Sequence, residues 1–301
     1  MIESDFLEEL DVYDSEIKRN VASVFRGEKE TSYTGDGLVF SDHRSYVPGD
    51  DTRLIDWNLY ARTDDYYVKQ FEEERNLTVH VLLDSSGSMD YGDASKFEVG
   101  AKIGLGYAYL STAENNDFRF SVYGEGLRRL DDGSSSRGGV LRVLDEVNDV
   151  EPDGKADLAD AIDSYSGYIE SKSLVVVVSD FVGPVRSMRE SRRGGARVVR
   201  ERVDVGGALA SLSQSHVVFV QVLSPGELQL TASGDTVFRA VETDAEFRTY
   251  VSPRRRRVYD ERLREHVDDV AASVESAGGD HVLVDTGEDF FESFSKAWIG
   301  T

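Results

Sequence analysis

The sequence predicts an α/β protein. Its core is a doubly wound, mostly parallel six-stranded sheet with helices on both faces, joined to an amino-terminal α/β segment and interrupted late by a small β insertion. Three observations predict this. From residue 76 onward, β-rich runs alternate with helical patterns, as in βαβ units. The runs at 81–83, 174–178 and 217–223 are apolar almost throughout, so they lack a wet face and belong at the centre of a covered sheet. Two of the runs end in aspartate, Asp84 and Asp180, and open parallel sheets gather their ligands at the carboxyl ends of such strands.

Each element follows from a local pattern. Over residues 1–26, Phe6, Leu7, Leu10, Val12, Tyr13, Ile17, Val21, Val24 and Phe25 recur at helical spacing among acidic residues, predicting one or two amphipathic helices. Residues 31–75 carry Gly, Pro and Asp between short β-like pieces. "LTVHVLLD" (77–84) reads as a strand and "SKFEVGAKIGLGYAYLSTA" (95–113) as a helix. "DFRFSVYG" (117–124) and "GLRRLDD" (126–132) read as strands, and "GGVLRVLDEVNDV" (138–150) and "ADLADAIDSYSGYIE" (156–170) as helices. The buried strand "SLVVVVSD" (173–180) precedes a helical "GGALASLSQS" (206–215) and a further buried strand, "HVVFVQVLS" (216–224). A β excursion spans 224–258, followed by a helix around 259–277, a strand at 281–286 and a terminal helix at 289–299. The expected domains are residues 1–75 and 76–301.

Composition narrows the function. Against 34 Lys and Arg stand 57 Asp and Glu, for a formal charge of −23. The acidic residues are scattered, which reads as a solvated, self-repelling surface suited to high salt, as in a haloarchaeon, the alternative being an ordinary acidic cytosolic protein. Binding to nucleic acid or to an anionic membrane is disfavoured. Cysteine is absent, which removes disulfides and thiolate metal sites. The first twenty residues have no basic n-region and no apolar h-region, and no stretch reaches the ~18 apolar residues of a membrane helix. The expected location is the cytoplasm, without membrane insertion.

The candidate site lies in "LLDSSGSMD". Beyond Asp84 the chain turns toward a helix, and Gly87 lets it fold tightly enough for Ser86 and Ser88 to aim hydroxyls back at the carboxylate. Carboxylate and hydroxyl oxygens at this density suit a hard cation, Mg²⁺ or Mn²⁺. Asp180 would join them from a neighbouring strand, directly or through water. A foreign carboxylate could then complete the ion's shell, making the metal an adhesive rather than a catalyst. The alternative for Asp84, Ser86 and Ser88 is a capping or turn-forming cluster.

At these residues the chain resembles a von Willebrand factor A domain, whose metal-ion-dependent adhesion site reads D-x-S-x-S, a later threonine and a later aspartate. The threonine position falls on Ala156 in "DGKADLADAI", which removes one ligand, and Asp157 beside it reads as a helix cap. A longer stretch, "HRSYVPGDDTRLIDWNLYARTDDYYVKQFEEE", resembles the family called domain of unknown function 58 through Arg44, Tyr46, Gly49, Asp50, Asp51, Arg53, Ile55, Asp56, Trp57, Ala61 and Arg62. The resemblance implies an adaptor or co-chaperone-like partner of a MoxR-type AAA+ ATPase. Physically, the interleaved Asp and Arg residues predict a network of carboxylate forks that pins the segment to the sheet, with Trp57 as apolar anchor. The other reading is a partner-binding face.

Arg186, Arg189, Arg192, Arg193 and Arg197 reverse the local charge just after Asp180. They read as a solvated loop or as a docking segment for an acidic partner. Arg254–Arg257 read as a solvated helix start. The five histidines make no ligand spacing, and His80 and His216 read as packing residues. Phosphate-loop, dinucleotide and nucleophile-elbow motifs are missing. The expectation is therefore a metal-assisted protein-interaction module and not an enzyme. The alternative is a Mg²⁺-dependent phosphotransfer or hydrolase site using Asp84 and Asp180.

Overall fold

The computed structural model describes residues 1–24, 38–73, 77–92, 95–169, 173–182, 185–191, 195–200, 205–212, 215–239 and 246–299. They form two compact units: Met1–Lys18 with Leu77–Thr301, and Arg19–Asn76. In chain order the first elements are α1 (Asp5–Val24), β1 (Leu38–Ser45), α2 (Trp57–Thr63) and β2 (Tyr67–Glu73). The next are β3 (Thr78–Asp84), α3 (Lys96–Ala113), β4 (Asp117–Tyr123), β5 (Leu127–Arg129), α4 (Arg137–Asn148), α5 (Leu158–Ser166) and β6 (Ser173–Ser179). Then come β7 (Val185–Ser191), β8 (Gly195–Arg200), α6 (Val205–Ala210), β9 (His216–Leu223), α7 (Pro225–Leu228), β10 (Gly234–Arg239) and β11 (Glu246–Val251). The chain closes with α8 (Pro253–Ser276), β12 (Asp280–Asp285) and α9 (Phe290–Ile299).

The central sheet has the order β12-β9-β6-β3-β4-β5. All neighbours are parallel except β5, which runs antiparallel to β4 at the edge. The first sheet strand, β3, therefore lies beside the fourth, β6, and the chain winds outward from this pair in both directions. That junction is the topological switch point, where the loops leaving two adjacent strand ends part company and open a crevice.

Alternation along the strands explains why helices cover both faces. Val79, Val81 and Leu83 pack into one core with Val176, Val178, Val218, Val220 and Val222, under α1, α3, α4 and α9. Leu82, Val175, Val177, Val217 and Phe219 point the other way, toward α5, α6 and α8. Side chains of a strand alternate faces, so a run that is apolar at both parities must be covered twice. Helix α3 is buried nearly all round. At Gly104 an added Cβ would meet Val81 and Phe120 side-chain carbons at 2.8 Å, so this glycine lets the helix sit down on β3 and β4.

The sequence reading groups residues 1–75, but the start of α1 packs with the sheet unit. Ile2, Phe6, Leu7 and Leu10 are buried in its core. The Asn148 amide also brackets the backbone of Ile2, accepting from its N–H at 2.8 Å and donating to its carbonyl at 2.9 Å. An apolar stripe with no core of its own joins the nearest one that can bury it. In the stretch read as a solvated loop or a docking segment, β7 and β8 pair as antiparallel strands. Inside the expected insertion, β10 and β11 form a second hairpin. The rest of 224–258 holds α7 and the first turns of α8, where Ser252 caps and Pro253 opens the helix.

The unit Arg19–Asn76 is built on the β1–β2 hairpin. Arg44 grips Asp50 through two hydrogen bonds, 2.7 and 2.8 Å, and Asp50 also accepts from Val47 N. Arg53 grips Asp51 at 2.7 Å. Asp56 caps α2 by accepting from Asn58 N and Leu59 N, and its second oxygen lies 3.0 Å from His43 Nε2. The signature's carboxylates thus hold their own unit's turns. Trp57, expected as a buried anchor, is 59% exposed, set edge-on to Tyr60 and Tyr66.

Candidate functional site

Asp84 and Asp180 emerge at the same end of the adjacent strands β3 and β6. Both are buried, 4% and 2% exposed. Each carboxylate is oriented by short-range bonds. Asp84 Oδ1 accepts from Ser86 N at 2.8 Å, and its Oδ2 accepts from the Ser179 hydroxyl at 2.6 Å. Asp180 Oδ1 accepts from Val182 N at 2.9 Å. The turn beyond β6 puts Phe181 at φ +50°, the left-handed region that non-glycine residues adopt at a cost. It is held there by Phe181 N donating to Ser179 Oγ and by His266 Nε2 at its carbonyl.

Ser86 precedes a single 3-10 turn, Gly87–Asp90, yet its side chain makes no capping bond. Its hydroxyl instead lies 3.1 Å from that of Ser88. The capping account of this cluster therefore fails for Ser86, whose side chain bonds toward the Asp84 carboxylate and whose hydroxyl meets that of Ser88. The loop leading to α5 runs alongside: Gly87 N donates to Gly154 O at 3.1 Å, and Asp153 N to Ser85 O at 3.0 Å. Ala156 follows in that loop and packs toward the core below α5. Asp157 caps α5 by accepting from Ala159 N and Asp160 N.

The residue that sequence reasoning missed is Lys96. It opens α3 with 0% exposure, and its Nζ donates to Asp180 Oδ2 and to Glu227 Oε1, both at 2.7 Å. Glu227 is fixed in turn by Ser224, whose N–H and hydroxyl both donate to Oε2 at 2.9 Å. Burial alone would lower the Lys96 ammonium, but the charges of Asp180 and Glu227 outweigh it and hold the group above its ordinary value. One signal was available in the sequence: a lysine directly after a serine N-cap sits at the helix end that disfavours cations, so it needs a compensating partner.

The electrostatics leave the rim anionic. Asp84, Asp180 and Glu227 face one ammonium. Burial, and then the charge of Asp180, pushes the Asp84 carboxyl up to about 6. Tyr123, opposite Asp84 in the register of β3 and β4, is buried at the same strand end. Its burial and the Asp84 charge hold it neutral. Among the described residues Asp84 pairs with no cationic side chain, and a bound cation would relieve its buried charge. The donors are all hard oxygens, which fits Mg²⁺ or Mn²⁺. Asp84, Ser86 and Ser88 would hold the ion; Asp180 is already engaged by Lys96, and Ala156 contributes no ligand. Among the described residues no three His, Asp or Glu side chains converge as a metal cluster, so an ion here depends on the serine hydroxyls and on water.

Among the described residues the rim hydroxyls and nearby histidines are engaged in bonds of their own. Ser85 Oγ donates to Tyr123 O, and Ser86 and Ser88 bond each other. His266 and His281 are committed to Phe181 O and Gln221. His80 is buried beside Tyr165, its Nδ1 2.8 Å from the phenol oxygen, which matches the packing role read from the sequence. Of the arginines after Asp180, Arg186, Arg189 and Arg197 lie on the hairpin, with Arg189 and Arg197 opposite each other in register. Arg192 and Arg193 lie outside the described residues. No helix among the described residues is long and apolar enough to cross a membrane.

Comparison with known proteins gives the chain its relatives. The uncharacterized protein Rv1480 of Mycobacterium tuberculosis is 25% identical over 279 residues, covering 91% of this chain and 83% of that protein. Similar solved structures include the conserved hypothetical protein BatB of Bacteroides thetaiotaomicron, with a TM-score of 0.45 and 13% identity over 74% of this chain and 97% of that one. A von Willebrand factor type A structure from Catenulispora acidiphila has a TM-score of 0.41 and 14% identity, over 77% of this chain and 44% of that one. The model of the family described as protein of unknown function DUF58 matches residues 42–269, and the chain belongs to that family.

Proposed function

We propose that the chain is a protein-binding module whose sheet rim takes a divalent cation, Mg²⁺ or Mn²⁺, on Asp84, Ser86 and Ser88 and offers it to a carboxylate of a partner protein. The observation that carries the reading is the convergence of these three oxygen-bearing side chains at the switch point, around a carboxylate without its own counter-charge. Asp84, Ser86 and Ser88 would hold the ion, which would supply Lewis acidity toward a partner's carboxylate. The chain's own residues do the rest: Ser179 and Ser86 N orient Asp84, and the serine loop, tied to Gly154 and Asp153, presents the hydroxyls.

A binding role, rather than transfer chemistry, is supported by the serine hydroxyls being committed to backbone and to each other, with histidines bonded elsewhere. A MoxR-type AAA+ ATPase, or its client, is the partner that the upstream signature implies, and an adaptor or co-chaperone-like role follows. The test is capture of such an ATPase by the purified chain in Mg²⁺. Asp84→Ala or a chelator should abolish capture. Capture unaffected by either, or Asp84-dependent turnover of phosphate esters, would overturn the reading.

A further inference from the structure

Resting on the metal reading above, we propose that Lys96 is a tethered counter-cation that keeps Asp180 out of the divalent ion's coordination. The rim is thereby divided into an ion half (Asp84, Ser86, Ser88) and an ammonium half (Asp180, Glu227).

The geometry carries this in three steps. First, Lys96 Nζ is fully buried and 2.7 Å from an oxygen of each carboxylate, so it is anchored as part of the core rather than as a loose surface pair. Second, both Asp180 oxygens are occupied, one by the ammonium and the other by Val182 N. Drawing Asp180 onto an ion would strip the fully buried Lys96 of one of its two anions, and buried charges tolerate that poorly. Third, Glu227 is held in place by Ser224 through both its N–H and its hydroxyl, so the ammonium cannot follow a departing Asp180 without giving up its bond to Glu227. An ion on Asp84 would then have one charged protein ligand and keep most of its shell as water. It binds loosely and leaves open positions for a partner's carboxylate.

Calorimetric titration of Mn²⁺ and Mg²⁺ into the full chain tests this. Asp180→Asn should leave the dissociation constant within about threefold, whereas Asp84→Asn should weaken it by about tenfold or more, the range in which ligand-shell changes act. Lys96→Met frees Asp180 and should tighten binding by about tenfold, and adding Asp180→Asn in that background should remove the gain. If Lys96→Met folds only when Mg²⁺ is present, that also supports the assignment, because the divalent ion then replaces the missing ammonium. If it does not fold at all, Lys96→Met with Glu227→Gln, and Asp180→Asn alone, decide the matter. Asp180→Asn as damaging as Asp84→Asn, or an unchanged affinity in folded Lys96→Met, overturns the inference while leaving the metal reading intact. Absence of binding in the parent chain overturns the metal reading. A site gained in Lys96→Met would still support the role of Lys96, and no site in either chain overturns both.

Discussion

Replacing Asp84 by asparagine should stabilise the metal-free protein. The Asp84 carboxyl is 4% exposed. Burial, reinforced by the charge of Asp180, raises it from 3.8 to about 6. At ~1.4 kcal/mol per pH unit, the ionised form at pH 7.5 carries a cost of about 3 kcal/mol. A carboxyl raised in the folded state contributes stability that is fully present below pH 3.8 and is lost as the pH climbs through about 6. Asparagine stays neutral throughout and can still accept from Ser86 N. Its amide nitrogen, however, meets the Ser179 hydroxyl that now donates to Asp84 at 2.6 Å, and re-aiming that hydroxyl costs about 1 kcal/mol. The expected net gain is about 2 kcal/mol at pH 7.5 in chelator, shrinking toward pH 4. Urea denaturation followed by far-UV circular dichroism measures it. Adding Mg²⁺ should raise the midpoint of the parent chain but not of Asp84→Asn. A loss of stability at pH 7.5 in chelator would refute the argument that the rim is short of positive charge.

Two other outcomes follow from the same structure. His80 is held down to about 4, first by burial and then by Arg119. Its contribution is therefore present above pH 6.5 and lost as the pH falls through about 4, and its full size is about 3 kcal/mol. That trend opposes the one from Asp84, so the parent chain should show little change in urea midpoint between pH 6.5 and 4, while Asp84→Asn should fall steeply over the same range. Gly104→Ala should lower stability by about 1–2 kcal/mol, because the contacts at 2.8 Å with Val81 and Phe120 outweigh the helix propensity gained. Thermal melts read it, and a higher melting temperature would show that α3 has room to lift.

Much of the fold was legible because its signals are local. Apolar runs without a wet parity marked β3, β6 and β9 as central, and the helical stretches between them forced parallel neighbours. The D-x-S-x-S loop and Asp180 could be placed at one edge because parallel strands end on the same side. Asp157 was read correctly as a cap, since capping depends only on the next few residues. The arginine-rich segment was read as a solvated loop or a docking segment, whereas β7 and β8 pair there as antiparallel strands.

The sequence by itself determined the layered α/β architecture, the family signature and the oxygen-rich loop at the switch point, each fixed by spacing within a few residues. Only the tertiary structure decided that Lys96 reaches Asp180 across 84 residues and Glu227 across 131, and that Trp57 faces outward. A pattern along the chain reports which groups must be buried, but the partner that neutralises a buried charge is chosen by the meeting of distant segments.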